Sequence, residues 1–256
     1  SNIPGKINHR WKGKAYNQLS ESEQRKIKTT TIHAIIFEQK HPKEDDTSLY
    51  QIFERINTSG KTLMPQEIRN CVYQGKLNTL LFDLNKDSNW RLLFGNQKED
   101  SRMRDLEFIL RFFALKSPQI RSTTKGSISL KKLLNEFMGS KENNSPDSIE
   151  LFFKEFVNSI AVVKKQFGEN AFFNVQGNDL TTIRKRFYPT VYDSIMIATT
   201  IALQHGIETA NTGESNRLAL LRDEQFRKYS TQGTMQIDHI NGRIQLALLH
   251  LYKIVQ

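Results

Sequence analysis

The sequence predicts a mainly α protein: a helical bundle behind a small α/β element at the N-terminus. Three observations carry that expectation. Apolar residues recur at i, i+3, i+4 and i+7 through most of the chain, the spacing of a buried helical stripe. Ser, Pro and Gly stand at the ends of those stripes, where helices start and stop. β-Branched density is highest in one stretch, Thr30 to Phe37, which reads TTIHAIIF. With 256 residues, 38% hydrophobic and 10% aromatic, the chain has apolar surface for a sizeable core, and its composition argues against disorder.

Residues 1 to 19 are polar, with Lys6, His9, Arg10, Lys12 and Lys14 around Trp11. They read as a frayed leading segment, with contact to a nucleic-acid backbone as the other reading. Ser20 and Glu23 form a capping box for a short helix. Thr30 to Phe37 is expected as a strand, and a strand needs partners for its backbone groups; His33 on it is expected to pack. HPKEDD (41 to 46) is a polar loop.

Leu49, Ile52, Phe53 and Ile56 form the stripe of the next helix, capped by Ser48 and Gln51 and stopped at Asn57-Thr58-Ser59-Gly60. A second helix starts at Pro65 and runs through Glu67, Ile68, Cys71 and Val72 to Gly75. Polar residues, Arg55, Arg69 and Asn70 among them, crowd this helix-turn-helix. Leu77, Leu80, Leu81 and Leu84 mark another stripe, and Trp90 to Phe94 continue apolar until Gly95. The strongest core helix spans Arg102 to Leu115, with Met103, Leu106, Ile109, Leu110 and Phe113 inward and Glu107–Arg111 placed as an i,i+4 pair.

Lys116, Arg121, Lys125, Lys131 and Lys132 then stand in a stretch without an acid, expected as a flexible cationic loop. It reads equally as a phosphate-contacting element and as a solvated loop. Ser129 caps a helix buried through Leu133, Leu134 and Phe137, and residues 139 to 145 have the composition of a linker. Ser145-Pro146 open a long helix with a phenylalanine stripe, ending at Phe167-Gly168. Residues 171 to 179 read as a loop, and Arg184, Lys185 and Arg186 as a second basic cluster. Thr190 to His205 is nearly apolar all round, so it belongs at the bundle's centre. Leu218 to Tyr229 and Gln236 to Val255 read as two closing helices. The expected division is an N-terminal element, 1–64, and a helical domain, 65–256, with a sub-boundary near 139–145.

Lys plus Arg exceed Asp plus Glu by 37 to 27, a net charge of +10, which favours polyanionic partners, nucleic acid first. The single cysteine, Cys71, excludes an internal disulfide, fits a reducing cytoplasm, and is expected as a buried small hydrophobe. No apolar run is long enough to span a bilayer, no signal peptide is visible, and no membrane partner is expected. One Cys and 6 scattered His make no zinc set. Asp238-His239-Ile240, with Asn241 and His250, suggests a metal-dependent HNH-type nuclease. The helical period there opposes it, setting His239 and His250 about 16 Å apart along one axis. No Gly-x-x-x-x-Gly-Lys-Ser/Thr loop and no Gly-x-Ser-x-Gly elbow is present.

Phe53-Glu54-Arg55-Ile56-Asn57-Thr58-Ser59-Gly60, then Glu67-Ile68-Arg69-Asn70 and Tyr73-Gln74-Gly75, resemble the GmrSD-type restriction endonuclease N-terminal domain. The similarity continues through Arg102 to Leu115 and Arg186 to Ala198. This resemblance implies a ParB-like core with a helical extension, in bacterial modification-dependent restriction and phage-defence proteins. The family's Asp-Gly-Gln-Gln-Arg segment, tied to nucleotide triphosphate hydrolysis, does not occur here. With Ser1-Asn2 at the start, this reads as a chain begun mid-domain, its ParB-like element incomplete. The expectation is therefore a nucleotide- or DNA-associated sensor or regulatory module. It has no cofactor of its own, takes NTP with Mg only in a full-length protein, and works with DNA and a partner nuclease domain or subunit. Phe53, Arg55, Asn57, Gly60, Arg69 and Asn70 are its motif residues. The alternatives are a helical protein-interaction scaffold without nucleic-acid binding and, third, the HNH-like nuclease at His239.

Overall fold

The computed structural model describes residues 11–31, 34, 36, 47–56, 62–177, 179–207 and 212–255. The chain forms two compact units, 1–40 and 41–256. The division falls after Lys40 rather than after residue 64, because the helix before residue 64 packs on the one after it.

In the first unit a short 3-10 turn, Tyr16–Gln18, leads into α1, Glu21–Lys28. The predicted capping box is present: Ser20 donates its backbone N–H to Glu23 Oε2 at 3.0 Å. Trp11 Nε1 donates to the other carboxylate oxygen, Oε1, at 3.0 Å. One carboxylate thus holds both the helix start and the indole, so the segment from Trp11 onward is tied to α1 rather than frayed. Thr30, Thr31, Ala34 and Ile36 are not in a strand, and Ile36 is exposed. The remainder of the expected strand, His33 included, lies outside the described residues.

The second unit is mainly helical, as the periodicity predicts. α2 (Thr47–Ile56), α3 (Pro65–Val72), α4 (Lys76–Asn85), α5 (Ser88–Phe94) and α6 (Arg104–Lys116) come first. A single turn, α7 (Pro118–Arg121), precedes α8 (Leu130–Gly139) and the long α9 (Pro146–Phe167). A two-stranded hairpin, β1 (Asn174–Val175) with β2 (Ile183–Arg184), follows. α10 (Pro189–Gln204), α11 (Glu214–Arg222), α12 (Glu224–Thr231) and α13 (Ile237–Tyr252) complete the order. Among the described residues no helix is long and apolar enough to cross a membrane.

α10 is the central helix, as its all-round apolarity predicts. Every residue from Val191 to Thr200 is buried, and the helix packs against α6, α9 and α13. Trp90, Phe94, Phe108, Phe172 and Phe187 form one aromatic cluster with Tyr192 of this helix, Phe108 and Phe187 with ring centroids 4.7 Å apart. The Ser145 cap, the Pro146 start and the Gly168 end of α9 are as predicted; Ser145 Oγ accepts from Ser148 N at 3.3 Å.

Several expectations are corrected. On α2 the buried residue is Tyr50, while Phe53 and Ile56 are 42% and 43% exposed. α2 lies at the edge of the bundle against α3, so only one side of its stripe finds a partner among the described residues. α3 ends at Val72, and Gly75 stands before α4 instead of closing α3. Cys71 is exposed, because Ile68 and Arg69 take the buried positions of that short helix.

Residues 139–145 do not separate domains: Asn144 Nδ2 donates to Met138 O and Ser140 O, and its Oδ1 accepts from Leu77 N at 3.1 Å. The stretch after Lys116 is not one open loop either. It contains α7, and its end runs beside the start of α13, where Ile128 N donates to Met235 O at 2.9 Å and Ile237 N to Gly126 O at 2.8 Å. The expected single helix over 218–229 is broken at Asp223, whose carboxylate accepts from Phe226 N at 2.8 Å and starts α12 afresh.

Candidate nucleic-acid interface

The cations of this chain fall into buried and exposed sets, and a candidate interface needs the second. The buried set is all arginine: Arg69, Arg91, Arg111, Arg217 and Arg243. A guanidinium is planar, weakly hydrated and able to fork onto a carboxylate, so it tolerates burial better than an ammonium. Arg69 and Arg91 pair with acids of α6, while Arg111 of α6 and Arg243 share Asp193 of α10. Arg91 NH1 donates to Asp105 Oδ2 at 2.7 Å, with Asn85 bridging the two. Arg111 donates from Nε and NH2 to the Asp193 carboxylate at 2.6–2.9 Å. Burial opposes the Arg111 charge, but Asp193 more than offsets it and its pKa rises. Arg243 reaches the same Asp193 at 3.4 Å, and burial pushes it down to about 10. Glu107 and Arg111, expected to pair with each other, instead pair with Arg69 and Asp193.

The motif residues divide. Arg69 is 1% exposed and donates Nε to Gln66 Oε1 (2.8 Å), NH1 to Asn135 Oδ1 (3.3 Å) and NH2 to Glu107. Burial lowers its pKa, with Glu107 working against that shift. All three nitrogens are engaged within the protein, so Arg69 ties α3 to α6 and α8 and does not face a phosphate. Asn70 Oδ1 accepts from Asn78 Nδ2 at 2.8 Å, joining α3 to α4. Arg55 and Phe53 are exposed on α2, and Asn57 and Gly60 lie outside the described residues.

The first basic stretch is also largely spent. Lys116 pairs with the buried carboxylate of Glu155 at 2.9 Å, and Lys131 pairs with Glu54 at 3.1 Å. Lys132 lies 3.6 Å from Glu136. Arg121 donates to Asn241 Oδ1 at 2.6 Å, and burial lowers its pKa. Lys125 is exposed with no carboxylate in reach among the described residues.

The second basic cluster is different. Arg184, Lys185 and Arg186 are exposed on and just after β2, and none meets a carboxylate among the described residues. β2 pairs antiparallel with β1, Asn174 opposite Arg184 and Val175 opposite Ile183. Alternation puts Val175 and Ile183 on the covered side of the hairpin, packed towards α11, and Arg184 on the other. Two arginines that sequence reasoning missed grip the hairpin's turn. Arg222 of α11 donates Nε to Leu180 O at 3.0 Å, and Arg227 of α12 donates NH2 to Gly177 O at 2.9 Å. Lys228 follows, exposed. Their helices are joined only at Asp223, and nothing in the local sequence ties them to residues 177–180. The acid within the turn, Asp179, is occupied: it accepts from Thr181 N at 2.9 Å and from both threonine hydroxyls, which draw its pKa down to about 2.

The HNH-like residues lie on one helix, α13. His239 Nδ1 is 2.8 Å from Gln232 O, and His250 Nε2 is 3.1 Å from Asp223 Oδ2. Among the described residues no three His, Cys, Asp or Glu come together as metal ligands. No protein-family model, curated protein or solved structure matches this chain.

Proposed function

We propose that this chain is a DNA-associated regulatory module of the kind used in bacterial modification-dependent restriction or phage defence, binding through the hairpin face. One observation carries the reading. Arg184, Lys185, Arg186, Arg222 and Arg227 gather around one short hairpin without carboxylate partners among the described residues, in a chain of net charge +10. A face of that kind releases condensed counterions from a phosphate backbone when it binds. The restriction context comes from the ordered motif similarity over residues 53–75, 102–115 and 186–198. The motif itself supports no nucleotide contact at Arg69, whose donors are all engaged inside the fold.

The test is fluorescence anisotropy of the full chain with a labelled duplex at low salt. Reversing Arg184, Lys185 and Arg186 to Glu should abolish binding, while reversing Lys131 and Lys132, already paired, should change it little. Equal losses from both sets would refute the assignment to this face. A protein-interaction scaffold is the second reading, favoured by a groove of about 580 Å³ between α4 and α9, where Phe153 is 47% exposed.

A further inference from the structure

We infer that the hairpin face takes duplex DNA by its phosphate backbone without reading bases, and that Arg222 and Arg227 set its affinity. This rests on the DNA reading above and deepens it.

A two-stranded ribbon reads bases by entering the major groove. Here the turn is held down at both shoulders, at Leu180 O by Arg222 and at Gly177 O by Arg227, and its covered side packs towards α11. A ribbon pinned in this way is a surface and not a finger, so what it offers a duplex is cations for the phosphates.

Single-strand binders stack bases on exposed aromatic rings. Most aromatic residues around this hairpin are committed elsewhere; the exception is Phe173, just before β1, which is half-buried and makes no ring contact among the described residues. Phe172 is fully buried, Phe187 packs on Phe108 and Phe172, and the guanidinium of Arg186 lies over the ring of Tyr188, 5.0 Å from its centroid. The face thus offers free aromatic surface only at the half-buried Phe173, against several exposed cations, which favours the phosphates of a duplex over the bases of a single strand.

A guanidinium carries five N–H donors. Arg222 uses Nε on Leu180 O, which leaves both terminal amino groups; Arg227 uses one terminal amino group, which leaves Nε and the other. Each side chain is therefore already fixed in place by one donor while others remain for a phosphate. Pre-ordering of this sort removes part of the cost of immobilising a long side chain on binding. Lysine keeps the charge but cannot both hold the carbonyl and fork onto a phosphate. Arg184 and Lys185 make no such second contact, and for them charge alone should matter; Arg186 is also held by its stack over Tyr188.

The experiment uses the full chain, two labelled duplexes of about 20 base pairs with unrelated sequences, one matching single strand, and vesicles of anionic phospholipid. The expected result is equal affinity for the two duplexes, weaker binding of the single strand and of the vesicles, and a fall on the order of 10³-fold between 50 and 200 mM salt, as for about five or six neutralised phosphates. Arg222→Lys and Arg227→Lys should each weaken duplex binding about tenfold, whereas Arg184→Lys and Lys185→Arg leave it unchanged. Unfolding midpoints of the four variants confirm that each is folded. If Arg222→Lys and Arg227→Lys bind like the parent, or one duplex is preferred by more than about tenfold, the inference falls while the DNA reading stands. Tighter binding of the single strand or of the vesicles also overturns it. Failure to bind any nucleic acid at low salt overturns both.

Discussion

Asp193 should be among the least replaceable polar residues of the bundle, and the reason is a charge imbalance. It is 0% exposed on the central helix and answers two buried arginines, Arg111 from α6 and Arg243 from α13. The cluster therefore carries a surplus positive charge. Asp193→Asn leaves two buried guanidinium groups facing a neutral amide, and removing one partner of a buried ionic contact costs about 3–5 kcal/mol. Arg243→Met acts in the opposite direction: it removes the surplus charge and leaves the forked Arg111–Asp193 pair intact. Its cost should be about 1–2 kcal/mol, that of the hydrogen bond from NH1 to Thr234 O and the long one from NH2 to Asp193 at 3.4 Å. The depressed pKa of Arg243, about 10, agrees with this asymmetry. A base whose folded value lies below its ordinary 12.5 is destabilised by its own charge at neutral pH, and that penalty is relieved only as pH rises through about 10. Urea unfolding followed by tryptophan fluorescence measures both variants, with a constant slope required for comparison. The double variant should cost less than the sum of the singles, because the residues share one network. If Asp193→Asn proves no more damaging than Arg243→Met, the account of this cluster is wrong.

Other outcomes follow from single contacts. Arg69→Met should lower stability by about 2–4 kcal/mol, since Gln66, Asn135 and Glu107 lose their common donor, yet leave duplex affinity within about twofold; a selective loss of binding would return Arg69 to the interface. Cys71 is exposed, so a thiol reagent should modify it in the folded protein at a rate close to that in urea; protection until unfolding would contradict the placement of α3. Gly242→Ala places a Cβ 2.5 Å from the ring of Tyr229, which itself packs on His239, and should destabilise by about 1–3 kcal/mol although alanine favours helix. Truncating the ring as well, in Tyr229→Leu, should recover part of that loss. Asp179 has its folded pKa at about 2, below the ordinary 3.8, so the turn it organises is fully held above 3.8 and is released as pH falls through about 2. The Thr181 amide resonance should titrate near that lower value, and a midpoint near 3.8 would show the turn to be unformed.

Legibility of the sequence tracked how local the cause was. The ends of α9 and the burial of α10 were readable because caps and apolar periodicity act within a few residues. Cys71 and Phe53 were misplaced because periodicity gives a stripe without saying what covers it, and short edge helices bury only part of one. Glu107–Arg111 shows the same limit for charge. Spacing along α6 allows the pair, but Arg69 and Asp193, distant in sequence, offer buried partners with forked or multiple hydrogen bonds. Arg184, Lys185 and Arg186 were visible as a run; Arg222 and Arg227 were not, because only the folded hairpin brings them to Leu180 and Gly177.

The partition of arginines bears on how the net charge should be read. Arg69 with Glu107, Arg91 with Asp105, Arg111 with Asp193 and Arg217 with Glu214 each cancel locally and add nothing to the +10. Apart from Arg243, the uncompensated charge among the described residues therefore stands on the exposed surface, where counterions reach it and where a polyanion displaces them. Basic residues that looked equivalent in the sequence thus separate by partner. Lys116, Lys131 and Lys132 must give up a carboxylate before meeting a phosphate, and the hairpin cations need not. That difference, rather than the number of positive residues, is what favours the hairpin over the stretch after Lys116 as the proposed interface.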